Sequence, residues 1–482
     1  MSEGRLSSGI SGLDHILEGG YPERKAYLVR GGPGVGKTTL GMHFLAEGVK
    51  QGQPVLFISM EEPEAQLRSH YSALGLPIDG IPILDISPTQ EFFLKQETYD
   101  IFSASEVERD LLTEQLITTL KEIRPRRVFL DPVTQFRFLA SEPYQFWKQI
   151  LSFIRYLKDE GATILFTSES SPTNPDDDLQ FLADGVIELA REKEGRYALR
   201  VKKLRGSGFI PGDHRYELTE RGIRIYPSLS LRREEDLKEF EFRTISLGIP
   251  GLDSLLGGGL ETGTITLISG PSGVGKTTLA LQTARSWAQA GMRALYYTFE
   301  EETAMILHRA RSVGIPMEGL NTSFYLEKIE PLAHSAEALV NKILDDLKER
   351  NTDLVVIDSI RGYSLAVGEG PLLPSLHSLA KHLQRHGHSV ILVDETSQVM
   401  GEFAISSEHT SYLADTIIFL KYLERKSTIR KVIGILKKRT GPFEATLREF
   451  AITSSGIRIG EPLTGIEGIL RGIPTIVEEE QS

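Results

Sequence analysis

Short apolar runs rich in β-formers alternate along this chain with longer amphipathic stretches. In the first half the runs are Ala26 to Arg30, Val55 to Ser59, Arg127 to Leu130 and Thr163 to Thr167. Continuous apolar runs of this length read as strands buried on both faces. Strands of that kind separated by helical patterns imply parallel βαβ units, so the pattern predicts an α/β fold with mainly parallel sheets flanked by helices.

The pattern occurs twice. Ser11-Gly12-Leu13-Asp14 returns as Pro250-Gly251-Leu252-Asp253, an offset of 239 residues that also carries Lys37 onto Lys276, Glu61-Glu62 onto Glu300-Glu301 and Gly75 onto Gly314. Later landmarks drift as loops differ in length, with Asp131 matching Asp358 and Asp184 matching Asp415. A register held over so long a stretch marks a duplication of whole domains. The expected division is residues 1–240, including a linker from 227, and 241–482, with a short tail from about 461. Residues 232–239 are charged and mixed in sign, which suits an exposed linker or bridging helix after Pro227.

Composition narrows the function classes. The 482 residues exceed what one core usually serves, in keeping with two domains. No apolar run approaches the ~18 residues of a membrane span, and Met1 to Leu13 lacks a leader pattern, so the expectation is a cytoplasmic protein without membrane attachment. With no cysteine, disulfides, thiolate metal sites and thiol nucleophiles are excluded together. A net charge of −12 argues against broad electrostatic binding to nucleic acid.

Two glycine-rich loops carry the chemistry. Gly31-Gly32-Pro33-Gly34-Val35-Gly36-Lys37-Thr38 and Gly270-Pro271-Ser272-Gly273-Val274-Gly275-Lys276-Thr277 both satisfy G-x-x-x-x-G-K-[ST], each between an apolar strand and a helical pattern that opens with a second threonine, Thr39 or Thr278. Such a loop wraps phosphates in backbone N–H groups, its Lys reaches the terminal phosphate oxygens, and its Thr hydroxyl binds Mg²⁺. ATP with Mg²⁺ is the expected ligand of both halves. A strand ending in Asp131 and one ending in Asp358 would complete each metal shell; the plainer role for such an Asp is to cap the segment that follows. Glu61-Glu62 and Glu300-Glu301 end a different strand, where a carboxylate can orient or deprotonate an attacking water or hydroxyl. Glu61 and Glu300 are assigned the principal role, against the reading of each pair as ordinary surface acids.

The twin opening turns, twin phosphate loops and twin Glu pairs resemble the KaiC family of RecA-like ATPases over nearly the whole chain. The resemblance implies two tandem RecA-like domains, stacked homohexameric rings with ATP between subunits, hydrolysis in the first ring, and autokinase with dephosphorylation activity in the second. It also implies that a Lys and an Arg from a neighbouring subunit complete each site. The matching residues are Lys203 and Arg205, and Lys437 and Arg439, whose two-residue spacing projects both cations to one face of a strand; a solvated basic edge is the plainer reading.

Residues 406–418 resemble the segment that bears adjacent phosphorylated Ser and Thr in that family. Aligned through Asp415-Thr416-Ile417-Ile418, Ser411 falls on the serine and Tyr412 on the threonine, a departure that undercuts an ordered two-site cycle. In the first half Gln180 and Phe181 stand opposite, so no hydroxyl acceptor exists there and Tyr412 reads equally as a packing aromatic. For Ser411 the competing role is to cap or line a loop. Residues 461–474 resemble the family's regulatory loop, and the short remainder after Pro474 removes the expectation of KaiA dependence, leaving KaiB-like or other signalling proteins as the implied partners. A clock-like or stress-signalling regulator is the implied role.

Two other classes fit the same fold. A RecA- or DnaB-like nucleic-acid motor would need basic loops facing DNA, whereas residues 172–178 are acidic. A nucleotide-gated scaffold would use ATP as subunit glue and act through partners. His382 and His386 share a helix face and imitate a metal pair, but no carboxylate completes the set, so an exposed helix end is expected.

Overall fold

The computed structural model describes residues 4–73, 75–76, 78–87, 104–139, 143–169, 176–192, 195–229, 240–331, 335–367, 372–396, 410–425, 427–464, 466–468 and 475–476. Residues 232–239, 172–175, 406–409 and most of the segment after 468, about which the sequence raises expectations, lie outside them. The chain divides into two compact units, Met1–Arg233 and Glu234–Ser482.

In the first unit the main-sheet strands are β1 (Ala26–Gly31), β2 (Val55–Ser59), β3 (Ile83–Asp85), β4 (Arg127–Asp131), β5 (Thr163–Glu169), β6 (Gly185–Arg191), β7 (Tyr197–Leu204), β8 (Asp213–Thr219) and β9 (Gly222–Tyr226). Among the described residues they form one sheet in the order β9-β8-β7-β6-β1-β5-β4-β2-β3. β6 through β3 run parallel, and β7 to β9 return as an antiparallel meander. Helices α1 (Ser11–Ile16), α2 (Lys37–Lys50), α3 (Glu64–Ser72), α4 (Ala104–Ile123), α5 (Pro143–Asp159) and α6 (Asp177–Leu182) accompany this sheet. The parallel strands are apolar on both faces because two separate cores flank them, one reaching Leu40 and Phe44 of α2, the other Phe146 and Ile150 of α5.

The second unit repeats the plan with β10 (Ile265–Gly270), β11 (Ala294–Thr298), β12 (Phe324–Lys328), β13 (Leu354–Asp358), β14 (Ser389–Glu395), β15 (Thr416–Arg425), β16 (Thr428–Lys438), β17 (Arg448–Thr453) and β18 (Gly456–Pro462). Their order, β12-β11-β13-β14-β10-β15-β16-β17-β18, is that of the first sheet read from the other edge. The helices are α7 (Pro250–Leu255), α8 (Lys276–Gln289), α9 (Thr303–Ser312), α10 (Ala336–Arg350), α11 (Ile360–Val367) and α12 (Leu372–Arg385).

The repeated opening turn is structural. Asp14 accepts from the Ser7 hydroxyl at 2.5 Å and the Ser8 N–H at 2.6 Å, and Asp253 accepts from the Ser246 hydroxyl at 2.6 Å and the Leu247 N–H at 2.7 Å. Glycine precedes each Leu-Asp because the last strand passes overhead: a Cβ on Gly12 would stand 2.0 Å from the Ile225 carbonyl oxygen, and one on Gly251 2.6 Å from Ile459 Cβ.

Arg127 opens β4 with no exposed surface. Its guanidinium donates to the carbonyls of Ser7 (2.7 Å) and Phe44 (2.9 Å) and to Gln53 Oε1 (2.7 Å), and it lies over the Phe44 ring. Burial lowers its pKa to about 10, so it remains a cation at neutral pH. Arg127→Met keeps the apolar stem but takes the donor from the Ser7 carbonyl and Gln53 Oε1; urea unfolding is expected to register a loss of ~3 kcal/mol from the first unit. A loss below ~1 kcal/mol would show that water satisfies the acceptors instead.

Candidate functional site

Both phosphate loops lie at the carboxyl end of the central strand of their sheet, where parallel α/β sheets open a crevice. In the first domain β1 ends at Gly31 and α2 starts at Lys37. Gly34 and Gly36 take left-handed conformations, with φ of 71° and 88°. A Cβ on Gly32 or Gly34 would meet nothing within 4 Å, so the concave side of the loop is open, as a phosphate requires. Tyr216, on β8, fastens the loop by donating to the Val35 carbonyl at 2.7 Å. Lys37 folds over the loop and donates to the carbonyls of Gly31 (3.0 Å) and Gly32 (2.9 Å).

The metal edge is equally built. Thr38 Oγ1 donates to Asp131 Oδ2 at 2.6 Å, and the Thr167 hydroxyl donates to the other carboxylate oxygen. Burial raises the pKa of Asp131, against the pull of these hydroxyls and Lys37. Glu61 is raised too, first by burial and then by Glu169, Asp131 and Glu62. These acids share a cavity of about 470 Å³ with the loop, Thr39 and Tyr71.

The second domain keeps the plan and changes the partners. β10 ends at Gly270, Gly273 and Gly275 have positive φ, and Lys276 donates to the Pro271 carbonyl at 2.8 Å. Burial lowers the Lys276 pKa, opposed by Glu395 and Asp358. Tyr422 donates to the Ser272 carbonyl at 3.3 Å, and Val274 and Thr278 are buried. Asp358 is contacted by Thr277 and accepts from the Tyr296 hydroxyl at 2.5 Å; burial raises its pKa. Glu300 accepts from the Ser359 hydroxyl at 2.8 Å, whereas Glu301 is held by Arg309 Nη1 at 3.0 and 2.8 Å. The two acids of this pair therefore differ: one is neutralised by a cation, the other is aimed by a hydroxyl.

A Mg²⁺–nucleotide fits both sites, since a glycine loop with positive φ, a buried lysine and a Thr–Asp pair converge in each, and in the first the cradle is also open at Gly32 and Gly34. Thr38 with Asp131, and Thr277 with Asp358, would hold the metal, leaving its remaining positions to phosphate and water.

Lys203 and Lys437 have local duties. Lys203 donates to the carbonyls of Gln180 (2.9 Å) and Ala183 (2.6 Å), and Lys437 to those of Ser411 (3.3 Å) and Ala414 (2.5 Å). Arg205 and Arg439 stand just beyond β7 and β16 with about half of each side chain exposed, 4.0 Å from Asp184 and 3.5 Å from Asp415. Tyr412 is exposed and stacks with His377 at 5.9 Å between ring centroids. His386 Nδ1 bonds the His382 carbonyl, and among the described residues no cluster of His, Cys, Asp or Glu could hold a metal ion.

The residues that sequence reasoning missed are Tyr71, Thr167, Glu169, Tyr296, Arg309 and Ser359. Tyr71 and Arg309 lie on helices the motifs do not name, Tyr296 and Ser359 lie beside named acids, and Arg309 and Ser359 were detectable only as mismatches in the repeat, opposite His70 and Pro132.

A family model described as "ATPase: KaiC" matches residues 6–230 and again 245–464. The chain belongs to the KaiC family of ATPases. It is 26% identical to the circadian clock oscillator protein KaiC of Parasynechococcus marenigrum (strain WH8102), over 99% of this chain and 94% of that protein. It is 27% identical to the protein of the same name from Synechococcus elongatus (strain ATCC 33912 / PCC 7942 / FACHB-805), over 99% of this chain and 93% of the relative. Its two units are thus tandem RecA-like KaiC domains, and the family carries ATP binding and ATPase activity. No helix among the described residues is long and apolar enough to cross a membrane.

Proposed function

We propose that this KaiC-family ATPase hydrolyses ATP in its first domain and, in its second, transfers the γ-phosphoryl group to its own Ser411 and later removes it, as a clock-like or stress-signalling regulator. The observation that carries the kinase half is the paired tether at Lys203 and Lys437. Gln180 and Ser411 occupy the same turn, each with its carbonyl held by that lysine, and only the second domain places a hydroxyl there.

Glu300 is the proton acceptor in this reading. The Ser411 oxygen bonds to the γ-phosphorus, the bond from that phosphorus to ADP breaks, and the hydroxyl proton passes to the carboxylate aimed by Ser359. In the first domain Glu61 takes the proton of a water instead. Bound Mg²⁺ neutralises charge on the phosphate oxygens. Lys37 and Lys276 exchange carbonyl partners for phosphate oxygens.

The exposed Arg205 and Arg439 are suited to reach a neighbouring subunit's nucleotide, while Lys203 and Lys437 hold the turns behind them. This supports ATP-bridged homohexamers, whose output passes in this reading to KaiB-like or other signalling proteins. The test incubates full-length protein with γ-labelled ATP and Mg²⁺ and maps label by mass spectrometry, beside Ser411→Ala. Label on Ser411 that the variant lacks is expected. Hydrolysis with no incorporation would remove the kinase half and leave a tandem ATPase.

A further inference from the structure

The geometry points to a buried phenol as a positioning residue for the metal-binding edge in each domain: Tyr71, from helix α3, in the first, and Tyr296, from strand β11, in the second. The inference rests on the reading that both loops bind Mg-nucleotide.

Tyr71 is 9% exposed and lines the first cavity together with Thr38, Thr39, Asp131 and Glu62. Its hydroxyl faces the hydroxyls of Thr39 and Thr38. Tyr296 has no exposed surface and donates to Asp358 Oδ2, the carboxylate that Thr277 also contacts.

The repeat shows that the two phenols are not copies of one another. At the offset of 239 residues Tyr71 faces Ala310, and Tyr296 faces Phe57. Each domain therefore has one tyrosine at its Thr–Asp pair, from a different element, and an apolar residue where the other domain has its phenol. Phe57 and Ala310 are both buried. A buried hydroxyl would be costly at either position without a polar partner; the Thr39 and Thr38 hydroxyls face Tyr71 in the first domain, and Asp358 accepts from Tyr296 in the second. Such a phenol can set the Thr hydroxyl rotamer, as Tyr71 is placed to do, or the orientation of the Asp carboxylate, as Tyr296 does, before metal arrives, which lowers the reorganisation on binding.

The test uses full-length protein with one site silenced, Lys276→Ala to isolate the first and Lys37→Ala to isolate the second. Binding of an N-methylanthraniloyl-ATP probe is followed by fluorescence, first in EDTA and then across a Mg²⁺ titration. Tyr71→Phe in the first background and Tyr296→Phe in the second are each expected to raise the half-saturating Mg²⁺ about fivefold, the loss of roughly one hydrogen bond's ordering, with a smaller change in metal-free affinity. The double variant Phe57→Tyr/Tyr71→Ala, which copies the second domain's arrangement into the first, is expected to restore the original Mg²⁺ midpoint. An unchanged midpoint in both Phe variants would overturn the inference, as would metal-free affinity falling by the same factor, or a relocated phenol that binds the probe normally yet keeps the raised midpoint. Failure of wild-type protein to bind the probe at either loop would instead remove the Mg-nucleotide reading itself.

Discussion

Replacing Glu300 by Gln is expected to cut phosphoryl incorporation into the second domain about 100-fold or more, with Mg-nucleotide binding unchanged. The amide preserves the shape of the carboxylate and can still accept from the Ser359 hydroxyl, now 2.8 Å from Glu300 Oε1. It cannot take a proton from the attacking oxygen. Glu301 cannot stand in, because Arg309 bonds both of its oxygens. Single-turnover transfer from γ-labelled ATP, with probe binding measured in parallel, separates the chemical step from affinity. Transfer at the original rate would assign the proton to another acceptor, and equal losses of transfer and binding would make Glu300 a ligand rather than a base.

In the first domain, Glu61→Gln is expected to lower hydrolysis by a factor on the order of 10² to 10³, measured in the Lys276→Ala background so that only one site turns over. The pH profile gives a sharper check. Only the ionised carboxylate can accept a proton, and burial followed by Glu169, Asp131 and Glu62 raises the Glu61 pKa. The rate should therefore rise with pH through a limb lying above the ordinary glutamate range and level off once Glu61 is ionised. Glu169→Gln removes the largest like-charge neighbour, so the limb should move to lower pH. A limb that stays in place, or moves up, would show that another group governs it.

Much of the site was legible because phosphate binding restricts sequence so narrowly. A loop that wraps an anion in N–H groups needs glycines at set positions and a Lys-Thr pair at the helix start, and the residues around Lys37 and Lys276 state this twice. Strand-end acids were readable for a similar reason, since β4 and β13 run into the crevice and their last side chains face it. The partners of those groups were not readable. Thr167, Tyr71, Tyr296 and Arg309 reach the site from helices or strands whose sequence spacing from the loops carries no signal, and only folding brings them within hydrogen-bond distance. The paired cations illustrate the limit from the other side. The two-residue spacing in Lys203/Arg205 and Lys437/Arg439 carries one expectation for both cations of a pair, and it gives no sign that within one chain the lysines cap turns of their own domain while the arginines stand just beyond the strand ends, half exposed.

The sequence by itself determined the α/β class, the duplication, the two phosphate loops and the acids that end the neighbouring strands, because backbone geometry and anion binding act through residues close together in the chain. Only the tertiary structure decided how the two copies differ. Which glutamate is aimed and which is neutralised, which element supplies the phenol at each Thr–Asp pair, and which cation remains exposed all depend on side chains that meet across the sheet. Such contacts are fixed by packing rather than by spacing, and substitutions that exchange one partner for another leave the motifs untouched.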